Sequence, residues 1–418
     1  MKLRSFFLSL LVPFMVMCGK PAGPDVPDVP DEPDTPIVDP ETPDPDTLVP
    51  QEVKNGDRIL VTNPVIEKFI TTVKYTERDY TYSAMQRGSE ADFLRQETVD
   101  EEGKPVSRLL ISPGTADISP SYSVRWPKDT QSAEYTIALS EGEWNASYTV
   151  DPNPESGTSF GYCLINNLRP NAKYHFEVKN GSQLITSGDF ETYGSLHQLT
   201  FKPGNATGVR NVRDLGGWKT KNGLKTVKYR KIYRGGRPDR ISRTGIQEAK
   251  REGIRAELDL RGNSDHLSAT PFEDADFLSP IIEEGYTQML RDDKEKTRQC
   301  MQFIMDKVAE GKPVYFHCSL GRDRTGTISM LTLGVLGVDE GDISKEYELT
   351  QFAPYGYSVS SGESSRMTRM VDYKGAANFI WSNYAKDGSF ADGVQAYLLG
   401  IGISQKDIDD FRKNMLTD

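Results

Sequence analysis

Residues 314 to 326 read Val314-Tyr315-Phe316-His317-Cys318-Ser319-Leu320-Gly321-Arg322-Asp323-Arg324-Thr325-Gly326, and the mainly apolar run 327–333 follows. A short apolar run ahead of a tight, glycine-containing turn predicts a buried strand, and the longer run behind the turn predicts a helix. A helix that starts in such a turn aims its positive N-terminal end at it. The sequence therefore predicts a strand, loop and helix that together attract an anion such as phosphate.

The residue types within this loop suit nucleophilic chemistry on phosphorus. Five residues separate Cys318 from Arg324, so the backbone N–H groups of the residues between them can turn inward while Arg324 grips two phosphate oxygens. A free thiol titrates near ~8.5, and a helix N-terminus with neighbouring cations lowers that value to roughly 3.5–7.5. We therefore expect Cys318 to be a thiolate, with His317 and the Thr325 hydroxyl hydrogen-bonding around it.

The pattern Cys-x5-Arg, with His317 before it and Thr325-Gly326 after it, resembles the signature loop of the cysteine-dependent protein tyrosine and dual-specificity phosphatases. It is most similar to a bacterial branch that carries Lys-Asp-Arg, although Arg322 here replaces the lysine. The resemblance implies a metal-independent enzyme without a cofactor that forms a cysteinyl phosphate, with substrate bound by the loop residues Ser319, Leu320, Gly321 and Arg322. It also implies Asp323 as the general acid; Asp292 or Asp293 is the alternative, and a simple ion pair is the other role open to Asp323.

Three upstream segments resemble the same branch and occur in its order: 211–217, 233–237 and 254–261. From the first we expect Arg213 and Asp214 to bind substrate. Asp259 and Arg261 stand at the end of a predicted strand, where side chains of parallel sheets meet the ligand. We expect these two at the site as well, with a surface ion pair as the alternative.

Helices are expected from Ser242 to Gly253, after Asp292 and Asp293 as far as Gly311, over 325–336, and from a cap at Ser404 to Met415. With the strands named above, residues 195–418 are predicted to form an α/β domain like that of tyrosine phosphatases.

Short alternating strands are predicted between residues 119 and 194, as in an all-β sandwich. Leu168 to Phe176, together with 188–192, resembles the late strands of a fibronectin type III domain. Trp126-Pro127 looks like the start of an acid loop, but its place in this region favours core packing. Residues 51–118 are expected to be an N-terminal accessory region with a helix at 64–71 and a strand at 72–75. The predicted protein is therefore multidomain, with the sandwich followed by the α/β domain.

The N-terminus has the pattern of a secretory signal over residues 1–18. Cys18 resembles the acylated cysteine of bacterial lipoproteins, and plain secretion is the alternative. Residues 19–50 form a Pro/Asp-rich linker; ten prolines lie in 21–50, which can extend roughly 90 Å. We expect a lipid-anchored protein of the bacterial cell envelope.

Composition excludes several classes of function. The net charge is −11, and residues 21–50 account for most of it with nine acidic residues and no basic ones. Residues 51–418 have 47 basic and 52 acidic residues, which is about balanced, so no basic surface for a nucleic acid is indicated. The four cysteines, at 18, 163, 300 and 318, have neither disulfide nor zinc spacing; Cys163 and Cys300 are expected in the core. The expected function is a phosphatase acting on phosphotyrosine or phosphoserine, with an inositol-phosphate or phosphoinositide phosphatase as one alternative and a non-catalytic phospho-ligand-binding surface protein as another.

Overall fold

The structure is a computed structural model that describes residues 49–75, 95–99, 105–109, 116–127, 135–150, 160–202, 209–353, 362–386 and 388–418. The predicted signal with Cys18 and the predicted linker up to residue 48 lie outside these residues. No helix in the described ranges combines the length and the apolar character that a membrane span requires.

Fourteen strands and nine α-helices occur in the described ranges. The strands are β1 (Arg58–Leu60), β2 (Arg95–Val99), β3 (Pro105–Leu109), β4 (Tyr122–Pro127), β5 (Tyr135–Glu141), β6 (Trp144–Val150), β7 (Phe160–Ile165), β8 (Lys173–Asn180), β9 (Gln183–Tyr193), β10 (Arg213–Asp214), β11 (Ile232–Gly235), β12 (Ala256–Asp259), β13 (Asp276–Leu278) and β14 (Val314–His317). The helices are α1 (Pro64–Thr72), α2 (Arg243–Arg251), α3 (Tyr286–Asp292), α4 (Lys294–Ala309), α5 (Asp323–Val335), α6 (Glu340–Glu348), α7 (Gly362–Ile380), α8 (Phe390–Gly400) and α9 (Gln405–Met415).

The C-terminal part is an α/β domain built on a five-stranded sheet in the order β10-β11-β14-β12-β13. All pairs are parallel except β10 with β11. β14 is the central strand and all four of its residues are buried, as its apolar sequence predicts. Gly235 and Asp259 pair with His317, so three strands end at one level and the loop after β14 opens at that edge.

α5 leaves the loop and runs through the middle of the domain. Every residue from 325 to 335 is buried, which confirms the prediction of a buried helix. The predicted helix starts are also confirmed: Ser242 caps α2 and Ser404 caps α9, each by accepting a hydrogen bond from a backbone N–H. This packing leaves the α5 N-terminus as the end that faces the loop.

The preceding part contains two sheets that share one core. The larger has the order β1-β9-β8-β5-β6, and the smaller pairs β4 with β7. Alternate residues of β5 and β8 are buried between the sheets, as predicted from their alternating sequences. Trp126 lies in this core with its ring 5.1 Å from that of Tyr135, in agreement with the predicted core packing.

The described residues of the N-terminal accessory region 51–118 do not form one unit: β2 and β3 make a two-stranded sheet of their own, whereas β1 and α1 join the two larger parts. β1 pairs with β9 and so extends the sandwich sheet. α1 instead packs in the core of the α/β domain, where the Phe69 ring lies 5.3 Å from that of Phe352. The strand predicted at 72–75 is also wrong, since α1 continues to Thr72 and the Val73 N–H bonds to the Phe69 carbonyl.

Candidate active site

The loop between β14 and α5 begins at Cys318 and makes its turn at Gly321. Gly321 has a φ of +67°, and a Cβ there would lie 2.4 Å from the carbonyl carbon of Gly235. No residue with a side chain fits, because the conformation is left-handed and the neighbouring strand is in contact. The glycine therefore lets the loop close against β11.

The carbonyl groups of residues 319–321 point away from the centre of the loop. Their donors are the Arg237 N–H to Ser319 O at 3.1 Å, Asn211 Nδ2 to Leu320 O at 3.2 Å and to Gly321 O at 3.0 Å, and Arg234 Nη2 to Gly321 O. In a trans peptide the N–H points opposite to the C=O, so the N–H groups that follow these carbonyls face inward. Within the described part of the chain, the N–H groups of residues 319–322 donate to no acceptor. Together they form a concave anion site.

Cys318 lies at the base of this concavity. The residue is only 3% exposed, and burial alone raises a thiol pKa. The positive charge of Arg324 and hydrogen bonds from the hydroxyl and N–H of Thr325 outweigh burial and the opposing charge of Asp323, so the pKa of Cys318 is lowered. The Thr325 hydroxyl has no oxygen or nitrogen partner in the described residues. The loop thus favours the thiolate.

This lowered pKa predicts the pH dependence of alkylation. Iodoacetamide should modify Cys318 with a midpoint below the value of about 8.5 expected for an ordinary thiol. Peptide mapping separates Cys318 from Cys163, whose pKa is raised to about 12 by burial. Arg324→Ala should move the Cys318 midpoint upward. A midpoint like that of an ordinary thiol in the folded wild type would contradict the thiolate assignment.

His317 supports the loop from behind and does not contact the thiol in the way predicted. Its Nε2 lies 2.8 Å from Glu257 Oε1, and its Nδ1 lies 3.2 Å from the Cys318 carbonyl. Burial works to lower the pKa of His317, but the hydrogen bond and charge of Glu257 raise it. Because both partners are acceptors, His317 is best satisfied as an imidazolium that donates twice. Glu257 was not predicted as a site residue, although a carboxylate inside a buried strand indicates a buried partner.

The guanidinium group of Arg324 lies near the Cys318 thiol. Its Nη1 donates to the Ile282 carbonyl at 2.8 Å, which fixes the side chain. In the described residues the other guanidinium nitrogens have no acceptor. They are therefore available to an oxyanion.

Asp323 is the predicted acid that the structure brings to the loop. Its Oδ1 accepts hydrogen bonds from Tyr286 Oη at 2.5 Å and from Arg322 Nε at 2.8 Å. Tyr286 has the left-handed φ of +56° and is held there by a bond from its N–H to Thr327 Oγ1. Tyr286, which the sequence analysis missed, and Arg322 thus set the direction of the carboxyl group.

The alternative acids lie elsewhere. Asp292 ends α3, is 57% exposed and pairs with Arg291. Asp293 precedes α4 and pairs with Lys296 at 3.3 Å. The contact between α3 and the loop is made by Tyr286, the first residue of this helix, through its hydrogen bond to Asp323.

Arg322 offers a second cationic contact at the loop. Only 11% of its side chain is exposed, and its Nε is committed to Asp323. Its terminal nitrogens make no hydrogen bond in the described residues. They can bind an anionic group next to the one in the loop.

Asp259 and Arg261 are not turned toward the loop; they form a buried ion pair. Asp259 Oδ1 lies 2.9 Å from Arg261 Nε, and Asp259 Oδ2 lies 3.0 Å from Arg261 Nη2. Asp259 Oδ2 also accepts from the Leu267 N–H at 2.7 Å, and Arg261 Nη1 donates to Asp239 at 3.0 Å. Neither the predicted substrate contact nor a surface pair fits this placement. The bond from the Leu267 N–H links segment 262–267 to this pair, and Asp265 of that segment accepts from the Ser319 hydroxyl.

Arg213 and Asp214 are likewise placed as supports rather than as substrate contacts. Arg213 is buried and donates from Nε to Glu346 Oε1 at 2.8 Å, which joins β10 to α6. Asp214 binds His197 Nδ1 at 3.0 Å and the Gly216 N–H at 2.7 Å. The residue of this motif that does reach the loop is Asn211, which the sequence analysis quoted but assigned no role.

Part of the chain is similar to known proteins. The sequence model described as "Tyrosine phosphatase family" matches residues 205–417. A protein of Cupriavidus necator that is provisionally named a tyrosine-protein phosphatase is 27% identical over 175 residues, which cover 36% of this chain and 62% of that protein. The chain thus spans less than two thirds of that relative. Among solved structures, TpbA of P. aeruginosa in complex with pTyr is 16% identical with a TM-score of 0.28, covering 42% of this chain and 90% of its own. Tk-PTP in its active form is 16% identical with a TM-score of 0.23, covering 34% and 90%.

Proposed function

We propose, because this chain belongs to the tyrosine phosphatase family, that it hydrolyses phosphate monoesters through a cysteinyl phosphate on Cys318. The observation that supports this most strongly is the loop itself. Its outward carbonyls leave a ring of inward N–H groups around a thiol whose pKa is lowered. A thiolate below an anion site is the arrangement that in-line attack on phosphorus requires.

In the first step the Cys318 sulfur forms a bond to phosphorus while the bond to the ester oxygen breaks. The loop N–H groups and Arg324 stabilise the charge on the three equatorial oxygens as it develops. Asp323 gives its proton to the departing oxygen. In the second step water attacks phosphorus, Asp323 takes a proton from that water, and Cys318 leaves as thiolate.

Asp323→Asn tests the assignment of the acid. It should slow hydrolysis of alkyl and tyrosyl phosphates far more than that of an activated aryl phosphate, whose leaving group needs little proton assistance. Steady-state rates across a series of leaving groups measure the contrast. An equal loss of activity on all substrates would indicate damage to the loop instead. A leaving-group dependence in Asp292→Asn or Asp293→Asn would assign the general acid to a residue outside the loop.

For the substrate we propose a phosphorylated tyrosine or serine of a protein, with inositol phosphates as the second candidate. A cavity of about 530 Å³ adjoins Asp323 and Arg324 and is also lined by Glu283, Glu284 and Asp372. Such an acidic wall repels additional phosphates and suits an uncharged or cationic neighbour of the ester. The available nitrogens of Arg322 are the observation that favours a second phosphate instead.

A substrate panel distinguishes these possibilities. Residues 51–418 would be assayed with phosphotyrosine and phosphoserine peptides and with inositol phosphates, under reducing conditions. We expect the highest kcat/KM on phosphopeptides and no change on adding a chelator, because the thiolate and Arg324 supply the nucleophile and the charge. Highest turnover of inositol phosphates would favour the second candidate. Binding without turnover of any ester would identify a phospho-ligand-binding protein.

We also propose that Cys18 is acylated and anchors the protein in the bacterial cell envelope, as its place after an apolar segment suggests. Cys18→Ala should then release the protein from the membrane fraction. Fractionation and the mass of the mature N-terminal peptide measure this. A wild-type protein in the soluble fraction without acyl chains would contradict the anchor.

The two sheets of the sandwich share one core, and this supports the fibronectin type III resemblance. We propose that residues 119–194, together with β1, are a domain of that type, and that residues 195–418 with α1 are the phosphatase domain. β1 and α1 are assigned in this way because of the sheet and the core that each one joins.

A further inference from the structure

One residue ahead of the sandwich reaches the phosphate loop through a single intermediary. Asp117 is buried, and its Oδ2 accepts the Asn211 N–H at 2.9 Å and Arg210 Nε at 3.0 Å; Arg210 Nη2 also contacts Oδ1. Asp117 lies outside the residues that the phosphatase family shares with this chain. It is therefore a contribution of this chain's own N-terminal part.

Asn211 is the intermediary. It has the left-handed φ of +59°, a conformation that asparagine adopts more readily than most residues other than glycine. Asp117 holds this backbone in place by accepting the Asn211 N–H. From this conformation Nδ2 reaches both Leu320 O and Gly321 O, which are two of the three outward carbonyls of the loop.

The neighbourhood of Asp117 is tied to the α/β domain on both sides. The Ala116 carbonyl accepts from Gln198 Nε2 at 2.8 Å, and the Ser119 N–H donates to Thr200 Oγ1 at 2.9 Å. These bonds fix the backbone around Asp117 without using its carboxylate. A change of the carboxylate alone thus leaves its segment anchored, and the effect on the loop can be observed.

We propose that Asp117 is a positioning residue for the phosphate loop: through Asn211 it turns the carbonyls of Leu320 and Gly321 outward and so turns the N–H groups of the loop toward the anion. The segment before the sandwich then completes the site of the α/β domain. For catalysis this inference rests on the proposed function, but for anion binding it does not.

The test compares Asp117→Ala and Asp117→Asn with Asp189→Asn, a matched change at a 78% exposed aspartate of β9. Orthovanadate is the anion probe, and its affinity is read from protection of Cys318 against iodoacetamide. Asp117→Ala should weaken orthovanadate binding by about tenfold, which is the effect of one lost hydrogen bond to a buried group, and should raise the pH midpoint of Cys318 alkylation. Asp117→Asn, which keeps an acceptor for Asn211, should recover part of the loss. Asp189→Asn should match wild type.

Coupling to Asn211 separates positioning from general stability. Asn211→Gly keeps the left-handed backbone but removes Nδ2, so it should show the same loss as Asp117→Ala, and the double variant should lose no more than either. Unchanged orthovanadate affinity and alkylation midpoint in folded Asp117→Ala, or fully additive losses, would overturn the inference. If Asp117→Ala does not fold, the same comparison of single and double variants is made with Asp117→Asn and Asn211→Gly. A wild type that binds orthovanadate but hydrolyses no ester would refute the proposed function and leave this inference standing.

Discussion

Cys318→Ser is expected to lower kcat by roughly 10⁵-fold or more, because it replaces a thiolate by a hydroxyl with no base to activate it. The loop N–H groups and Arg324 remain in place, so the variant should still bind phosphate or an unreacted phosphopeptide. Steady-state kinetics and a binding titration on the same preparation measure both quantities.

The matched control is Cys163→Ser, which makes the same chemical change at a buried cysteine of β7. It should leave kcat and KM at their wild-type values. Turnover near the wild-type rate in folded Cys318→Ser would refute a covalent mechanism, whatever the control shows.

The second large effect is expected at Arg324. Arg324→Ala should lower kcat/KM by on the order of 10³- to 10⁵-fold, the range in which an arginine acts on a transferring phosphoryl group. Two losses combine: the contact with the equatorial oxygens disappears, and the pKa of Cys318 rises because its main positive neighbour is gone.

Arg324→Lys separates these two losses. Lysine keeps the charge near Cys318 but cannot reproduce the planar fork, so the alkylation midpoint should stay low while kcat/KM remains far below wild type. The control is the same substitution at Arg412, because this residue donates to the Val335 carbonyl away from the loop. If Arg324→Ala retained wild-type kcat/KM, the loop would not hold the phosphate as described.

The strand, loop and helix around Cys318 were predictable because local chemistry determines them. A run of three apolar residues, a glycine that must adopt a left-handed turn and a buried helix all appear in adjacent positions of the sequence. For the same reason the starts of α2 and α9 follow from Ser242 and Ser404.

Partners that are distant in sequence were not predictable in the same way. The position of Asp259 at a strand end indicates the correct edge of the sheet, but not that Arg261 turns back to pair with it. Arg213 and Asp214 lie in a motif near the loop, yet their partners, Glu346 and His197, lie on other elements. A charged motif can therefore stabilise a site without touching its ligand.

The division of residues 51–118 was missed for a related reason. Phe69 and Arg58 lie eleven residues apart, yet one packs in the α/β core and the other joins the sandwich sheet. Periodicity predicts that a helix is amphipathic but not which core receives it. Asp117, in the same region, has no local signal at all, because its role depends on Asn211 nearly a hundred residues later.

The stereochemistry at phosphorus tests the covalent mechanism most directly. The enzyme would transfer an isotopically chiral phosphoryl group from an aryl ester to an added alcohol, and the configuration of the product would be determined. Attack by Cys318 followed by attack of the acceptor inverts phosphorus twice, so we expect overall retention of configuration. Inversion would show a single direct displacement and would contradict a cysteinyl phosphate.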